Sequence, residues 1–320
     1  MERISLAKLC GRISLKEFMA SILERQVLHS KSCISSSEIE ELLSTQTLNS
    51  LFARYPLQPS RYQLIKNGTV DRDAPRHSAG SMDPKYIAAA YAEGQTIRLN
   101  SVHESVPAVG ALCRDLAAEC KCAVFANVYM TPARNPGFDP HYDDHDVLII
   151  QCHGSKEWRI HDEYDNRTDL PLVGFQFDAQ KYVPGPPSRS LMLNAGDTLY
   201  IPRGHMHSAR AQDSGSVHIT LSLNWPTWNE LLMDVIARSS IGDVDMRRAI
   251  ISIIGSAPCE SQGDAMPHIR VLLDRAFESR AVEDSLGSLL NGYKGAYLEG
   301  APVGVVEGTE YLVGASEGAS

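Results

Sequence analysis

The sequence predicts a mainly β core flanked by helical regions. Three observations carry this. Between about residues 122 and 225, short runs rich in β-branched and aromatic residues alternate with Gly, Pro, Asn and Asp, the pattern of a β-sandwich or barrel. Upstream, residues 1–60 place apolar residues at helical spacing. Downstream of Trp225 the helical period returns.

The elements follow in order. SLKEFMASIL has a helical apolar stripe, and SSSEIEELLS reads as a capped helix, serine before glutamates and then leucines. Residues 67–83, NGTVDRDAPRHSAGSMD, are polar and turn-rich and read as a loop. DPKYIAAAYAEG is a short helix ended by Gly94, TIRLNSV a strand, and VGALCRDLAAEC a helix. CAVFANVYM, DVLIIQC, KEWRIH, SLMLNAG, DTLYIP and SVHITLSLNW are the core strands. TWNELLMDVIARSS, DMRRAIISIIGS and HIRVLLDRAFESRAVEDSLGSLLNGY are helical again. The organisation expected is an N-terminal helical and strand region packing on the core (1–121), the core (122–225), a C-terminal helical region (226–296) and a Gly-rich acidic tail (297–320) that is partly disordered or an edge appendage. There is no internal repeat.

The protein's 320 residues suit one large domain or one with a smaller unit attached. A net charge of −9 argues against a large nucleic-acid footprint, which needs a basic face. An acidic balance favours a basic peptide or a small molecule. The N-terminus lacks the continuous apolar core of a signal peptide, and no stretch approaches a membrane span. The seven cysteines are odd in number and irregular in spacing; Cys120-Lys121-Cys122 has no second pair to complete a zinc site. Reduced thiols in a cytoplasm are the simplest reading.

The stretch PHYDDHDVLII, residues 140–150, crowds two histidines and three aspartates against an apolar run. His141 and Asp143 stand two apart, so on a strand both point to one side. Alone, such a pair is more often a surface turn than a metal site. The second element is GDTLYIPRGHMH, residues 196–207: Gly, five residues, Pro, one, Gly, two, His, which fits a cupin signature and supplies His207. Two histidines and one carboxylate on neighbouring strands form the facial triad of non-haem Fe(II) oxygenases. His205 competes with His207 by spacing, and the signature's register chooses His207.

Residues 127–160 and 196–224 resemble the JmjC-type 2-oxoglutarate oxygenases, and within them the ribosomal oxygenases, which include bacterial arginyl and human histidyl hydroxylases. The resemblance covers roughly residues 15–240, with the JmjC domain at about 95–225. It implies a double-stranded β-helix (jelly roll) that holds Fe(II) through His141, Asp143 and His207. It implies that Lys156, in GSKEWRI, binds the far carboxylate of 2-oxoglutarate, a point-charge role suited to a dianion. Asn127 matches an asparagine that lines the pocket and donates to the near end of the co-substrate. Thr220 and Ser222 face the pocket or are ordinary alternating strand residues. His145 is read as a substrate contact or rim position, His218 as a packing residue or one backing a ligand, Asp144 as facing outward or orienting its loop, and Trp158 as core.

The resemblance further implies O₂-dependent hydroxylation of an amino-acid C–H bond, in a side group of a protein or peptide, with succinate and CO₂ as co-products. The same steps beside an N-methyl nitrogen give demethylation, and the same fold acts on free amino acids and other metabolites. A non-catalytic cupin-like binding module and a zinc-dependent hydrolase are further readings; the first predicts loss of a ligand, the second has no need of Lys156. In that branch a helical dimerisation region precedes a winged helix. The helices after residue 226 fit the first, implying a homodimer, whereas the roughly thirty small and acidic residues after 290 do not clearly fit the second.

Overall fold

The computed structural model describes residues 3–54, 61–71, 84–162, 170–174, 177–249 and 265–292. The N-terminal layer holds α1 (Leu6–Leu9), α2 (Leu15–Glu17), which runs into a π-turn at Phe18–Ile22, α3 (Ser36–Leu43) and α4 (Thr45–Arg54). The expected cap is present: the Ser35 side chain accepts from the Glu38 amide, and the Glu38 carboxylate accepts from the Ser35 amide. Then come α5 (Pro84–Ala92), ended near Gly94 at φ +97°, and α6 (Pro107–Cys120).

Among the described residues the strands are β1 (Leu28–Ser30), β2 (Tyr62–Lys66), β3 (Thr69–Val70), β4 (Thr96–Leu99), β5 (Ala123–Thr131), β6 (Asp146–His161), β7 (Arg189–Asn194), β8 (Thr198–Ile201) and β9 (Met206–Asn224). Upstream of the core, two expectations need correction. Residues 1–60 are not wholly helical, because Leu28–Ser30 adds to the sheet edge beside Thr198–Tyr200; three residues are too short for a periodic signal. The start of the expected 67–83 loop is also a strand, β3, paired to β2.

The strands expected separately at DVLIIQC and KEWRIH are one 16-residue strand. Gly154 lies between the two expected segments without breaking the strand. It is instead a bulge: the pairing of β6 with β9 shifts register between Gln151 and His153 and again between Gly154 and Lys156. Gly154 (φ +65°) and Gly215 (φ +72°) face each other there, and a Cβ on Gly154 would overlap the Gly215 carbonyl oxygen. At this point both long strands change partners. The first half of β6 pairs with β8 and the second half with β7. The second half of β9 pairs with β5, while its first half bridges to Pro136 and His141. The antiparallel order β1-β8-β6-β9-β5-β4-β2-β3, with β7 off β6, thus folds into a double-stranded β-helix.

Alternation gives this wall two faces. Val124, Ala126 and Val128 on β5, with Ile219, Leu221 and Leu223 on β9, point outward and are buried against the N-terminal helices. The other face of β9 turns His218, Thr220 and Ser222 into the barrel. An apolar plug fills part of the interior: Val147, Ile149, Ile160, Leu193, Leu199 and Ile201.

After the core lie α7 (Trp228–Gly242), α8 (Ala265–Glu278) and α9 (Ala281–Gly292), which pack on one another. The helix expected at DMRRAIISIIGS appears only as a 3₁₀ turn at Asp245–Arg247; its remainder from residue 250, and the tail 297–320, lie outside the described residues. No helix among the described residues is long and apolar enough to cross a membrane.

Candidate metal centre

His141 and His207 meet through a backbone bridge rather than a continuous strand. The His141 amide donates to the His207 carbonyl at 3.1 Å, and the reverse bond is 2.7 Å. Asp143 lies in the irregular loop that follows, its carbonyl accepting from the Gly204 amide at 3.0 Å. One potential ligand atom from each of the three residues lies within 4.8 Å of the others. Asp143 Oδ2 is 3.7 Å from His207 Nε2, and Oδ1 is 4.0 Å from His141 Nε2.

The imidazoles are oriented from behind. His141 Nδ1 is 2.8 Å from the Asp139 carbonyl oxygen, and His207 Nδ1 is 2.9 Å from that of His205. A carbonyl only accepts, so each Nδ1 holds the proton and each Nε2 turns its lone pair to the centre, as metal-binding histidines do. Burial, then the neighbouring His141, pushes His207 down to about 4. Burial raises the Asp143 carboxyl, but His141, His145, His207 and Arg98 together outweigh it and hold it below its ordinary range. A neutral imidazole beside a carboxylate is the protonation state a cation needs.

Register places Lys156 deeper on the same wall. Lys156, Trp158 and Ile160 share the inward face of β6, opposite Ala211, Ala209 and His207 on β9. Lys156 is 2% exposed, and its Nζ donates to Thr131 Oγ1 at 3.0 Å. Among the described residues no carboxylate pairs with it. Burial pushes it down to about 7. Two further buried polar atoms in the same cavity, Trp158 Nε1 and His218 Nδ1, have no hydrogen-bond partner. Burial, then Lys156, drives His218 well below its ordinary value, and its ring stacks on Tyr129 at 4.9 Å. This is a cavity built to receive an anion with acceptors.

Thr220 lines this cavity and also the outer chamber that opens from it; Asn127 and Ser222 line the outer one. Asn127 Oδ1 accepts from the Ser101 amide at 3.0 Å, so a ligand would meet its amide nitrogen. His145 lines the outer chamber, with Nδ1 2.8 Å from Asp144 Oδ1. Burial lowers His145, yet its bond to Asp144 and the nearby carboxylates raise it overall. Asp144 orients its loop, accepting also from the Gly174 amide at 2.5 Å. His205 stands outside the triad, and Trp158 is 6% exposed within the barrel, its ring 5.9 Å from His207.

Sequence reasoning passed over Arg98. It lines the outer chamber, its guanidinium 5.6 Å from the Tyr129 ring centroid and 3.4 Å from Gln63 Oε1, and its Nε is buried without a partner. The available signal was one cation between Ile97 and Leu99 in the buried strand TIRL.

A double-stranded β-helix that gathers two histidines and an aspartate within 4.8 Å of one another offers the donor set of a metal site. Residues 106–231 match the family model described as the JmjC domain. The protein is 40% identical over 163 residues to the bifunctional lysine-specific demethylase and histidyl-hydroxylase NO66 of Dictyostelium discoideum, an alignment spanning 50% of this sequence and 31% of that one. It is 30% identical over 224 residues to the NO66 of Drosophila erecta, spanning 65% and 34%. The protein thus spans about a third of the length of these relatives. Among solved structures, the Escherichia coli ribosomal oxygenase YcfD superposes with a TM-score of 0.56 at 17% identity, over 87% of this protein and 71% of that one. YcfD in complex with cobalt and 2-oxoglutarate superposes equally, at 16% identity. The structural likeness carries the fold.

Proposed function

We propose that this protein is an Fe(II)- and 2-oxoglutarate-dependent dioxygenase that hydroxylates a C–H of an amino-acid side chain in a protein or peptide. The observation that carries the reading is the pairing of a His-Asp-His triad with a buried lysine that, among the described residues, faces no carboxylate. The donor set fits the metal: two Nε2 lone pairs and a carboxylate, with open positions for a bidentate co-substrate and O₂. The lysine fits the far carboxylate of 2-oxoglutarate. The relatives' name, bifunctional lysine-specific demethylase and histidyl-hydroxylase, and the cobalt and 2-oxoglutarate complex of YcfD support the same class of oxidative chemistry.

In this reading His141, Asp143 and His207 hold the iron, and Lys156, fixed by Thr131, holds the co-substrate's tail. Thr220 and the amide nitrogen of Asn127 line its near end. When bound, the iron and 2-oxoglutarate supply O₂ activation, with succinate and CO₂ as products. The protein's residues supply orientation and a chamber shielded from bulk water. Arg98 refines the substrate. A fixed cation in the outer chamber opposes the arginine or lysine side chain that the protein's acidity favours, and opposes methyl-lysine demethylation for the same reason. A neutral side chain that can accept a hydrogen bond fits better, in line with histidyl hydroxylation.

A homodimer through α7–α9 is part of the proposal, supported by apolar side chains such as Trp228 and Ile241 that stand about four-fifths exposed there (80% and 78%). A reducing, cytoplasmic setting is supported by six unpaired cysteines among the described residues. The working domain division is 1–121, 122–225 and 226–296.

The test is anaerobic visible absorption of metal-free protein on adding Fe(II) and then 2-oxoglutarate. A charge-transfer band that is lost in His141→Ala, and that needs more 2-oxoglutarate in Lys156→Ala, supports the reading. An iron-loaded, folded sample without the band leaves a likeness of fold only.

A further inference from the structure

We propose that Asp146 is a positioning residue for the metal centre. Its carboxylate fixes the spacing between the loop that bears His141 and Asp143 and the turn that leads into His207 at the start of β9. The inference rests on reading that triad as a metal site.

The ground for it is how the ligands are held. His141 belongs to an isolated bridge and Asp143 to an irregular loop, so no strand ladder fixes either one. The loop is clamped to the 202–205 turn between β8 and β9 at two adjacent amides. Gly204 N–H donates to the Asp143 carbonyl at 3.0 Å, and Arg203 N–H donates to Asp146 Oδ1 at 2.8 Å. The first bond is backbone to backbone and indifferent to side chain. The second depends wholly on residue 146.

Asp146 is the first residue of β6 and is 1% exposed. Its Oδ2 accepts from Tyr200 Oη at 2.7 Å and from Trp225 Nε1 at 2.9 Å. Tyr200 stands on β8, the strand that runs into the turn before His207, and Trp225 directly follows β9. One carboxylate therefore ties the start of β6, the turn after β8 and the exit of β9. Only an acceptor on both oxygens satisfies this arrangement. The Arg203 amide and the Trp225 indole N–H can only donate, and they address different oxygens. In asparagine, either orientation of the amide turns an NH₂ group toward one of them.

The test is Mn(II) affinity, followed by electron paramagnetic resonance of free Mn(II), with thermal unfolding run beside it. Asp146→Asn is expected to weaken Mn(II) binding by about tenfold or more, the usual effect of losing a group that orients metal ligands. Removing the indole donor in the double variant Asp146→Asn/Trp225→Phe is expected to restore much of that affinity, because the NH₂ group then faces no obligate donor. Leu116→Ala, in α6 and away from the site, is expected to lower Tm and leave Mn(II) affinity unchanged. Wild-type affinity in Asp146→Asn, no recovery in the double variant, or an equal loss in Leu116→Ala would each overturn the role. Failure of the wild-type protein to bind Mn(II) at all would overturn the metal reading itself, and the positioning role with it.

Discussion

The two faces of β9 differ in what they touch, although their residues alternate in sequence. Ile219, Leu221 and Leu223 face outward and are fully buried under helices (0% exposed). His218, Thr220 and Ser222, interleaved with them, face a cavity beside the triad. One strand thus carries stability on one side and chemistry on the other, offset by a single residue, because the side-chain period of a strand is two. Along 218–223 the apolar face looks out, where helices cover it, and the polar face looks in, whereas the interior beyond it holds the apolar plug of Val147, Ile149 and their neighbours.

The sharpest way to break this comparison is to strip the inner side of its carboxylate. Asp143→Ala is expected to abolish metal binding and to reduce turnover by about a thousandfold or more, the scale seen when one essential group of a catalytic set is lost; calorimetric titration and product mass spectrometry would measure both. The outer face should answer in stability instead. Leu221→Ala is expected to cost about 2–5 kcal/mol in chemical denaturation, the range for a buried Leu→Ala change, with co-substrate affinity unchanged in the fraction that remains folded. A loss of affinity comparable to the loss of stability would mean that the two faces are not separable.

Lys156 mixes both roles. Its Nζ is held at about 7 by burial, against an ordinary value near 10.5. Between those values the unfolded state binds more protons than the folded one, so the ligand-free protein is expected to gain stability as pH rises from about 7 toward 10. Affinity for 2-oxoglutarate runs the opposite way, since the dianion needs the ammonium, and is expected to weaken above about pH 7. Lys156→Met should flatten the pH dependence of stability and raise the Kd for 2-oxoglutarate by roughly 10- to 100-fold, from the worth of a hydrogen bond to a charged group. The smallest effect belongs to Thr220→Val. The change keeps the shape of the inner face and removes one hydroxyl; the expected outcome is a few-fold rise in the KM for 2-oxoglutarate, with Tm moved by only a few degrees.

The triad was legible because its ligands belong to two short motifs whose spacings are local, HYD and the Gly-Pro-Gly-His run. Lys156 was legible only through resemblance; nothing in GSKEWRI by itself distinguishes a buried cation from a turn lysine. Arg98 and Asp146 were missed for a shared reason. Each takes its meaning from partners distant in sequence: Arg98 from Tyr129 and the outer chamber, Asp146 from Tyr200, Arg203 and Trp225. The helices at residues 36–43 and 107–120 were read from periodicity that tertiary packing then reinforced. The strand at 28–30 exists only because β8 offers an edge for it, which no local pattern encodes.

The glycine bulge where β6 and β9 change partners has a consequence for how the molecule opens. Because the same two strands serve both walls, neither wall can peel away alone, and the residues around the site belong to the same cooperative unit as the helix-packed core. Amide hydrogen exchange along 147–151 and 218–223 is therefore expected to proceed only through global opening, so that ligand access takes place through the chamber mouth and not by partial unfolding of the barrel.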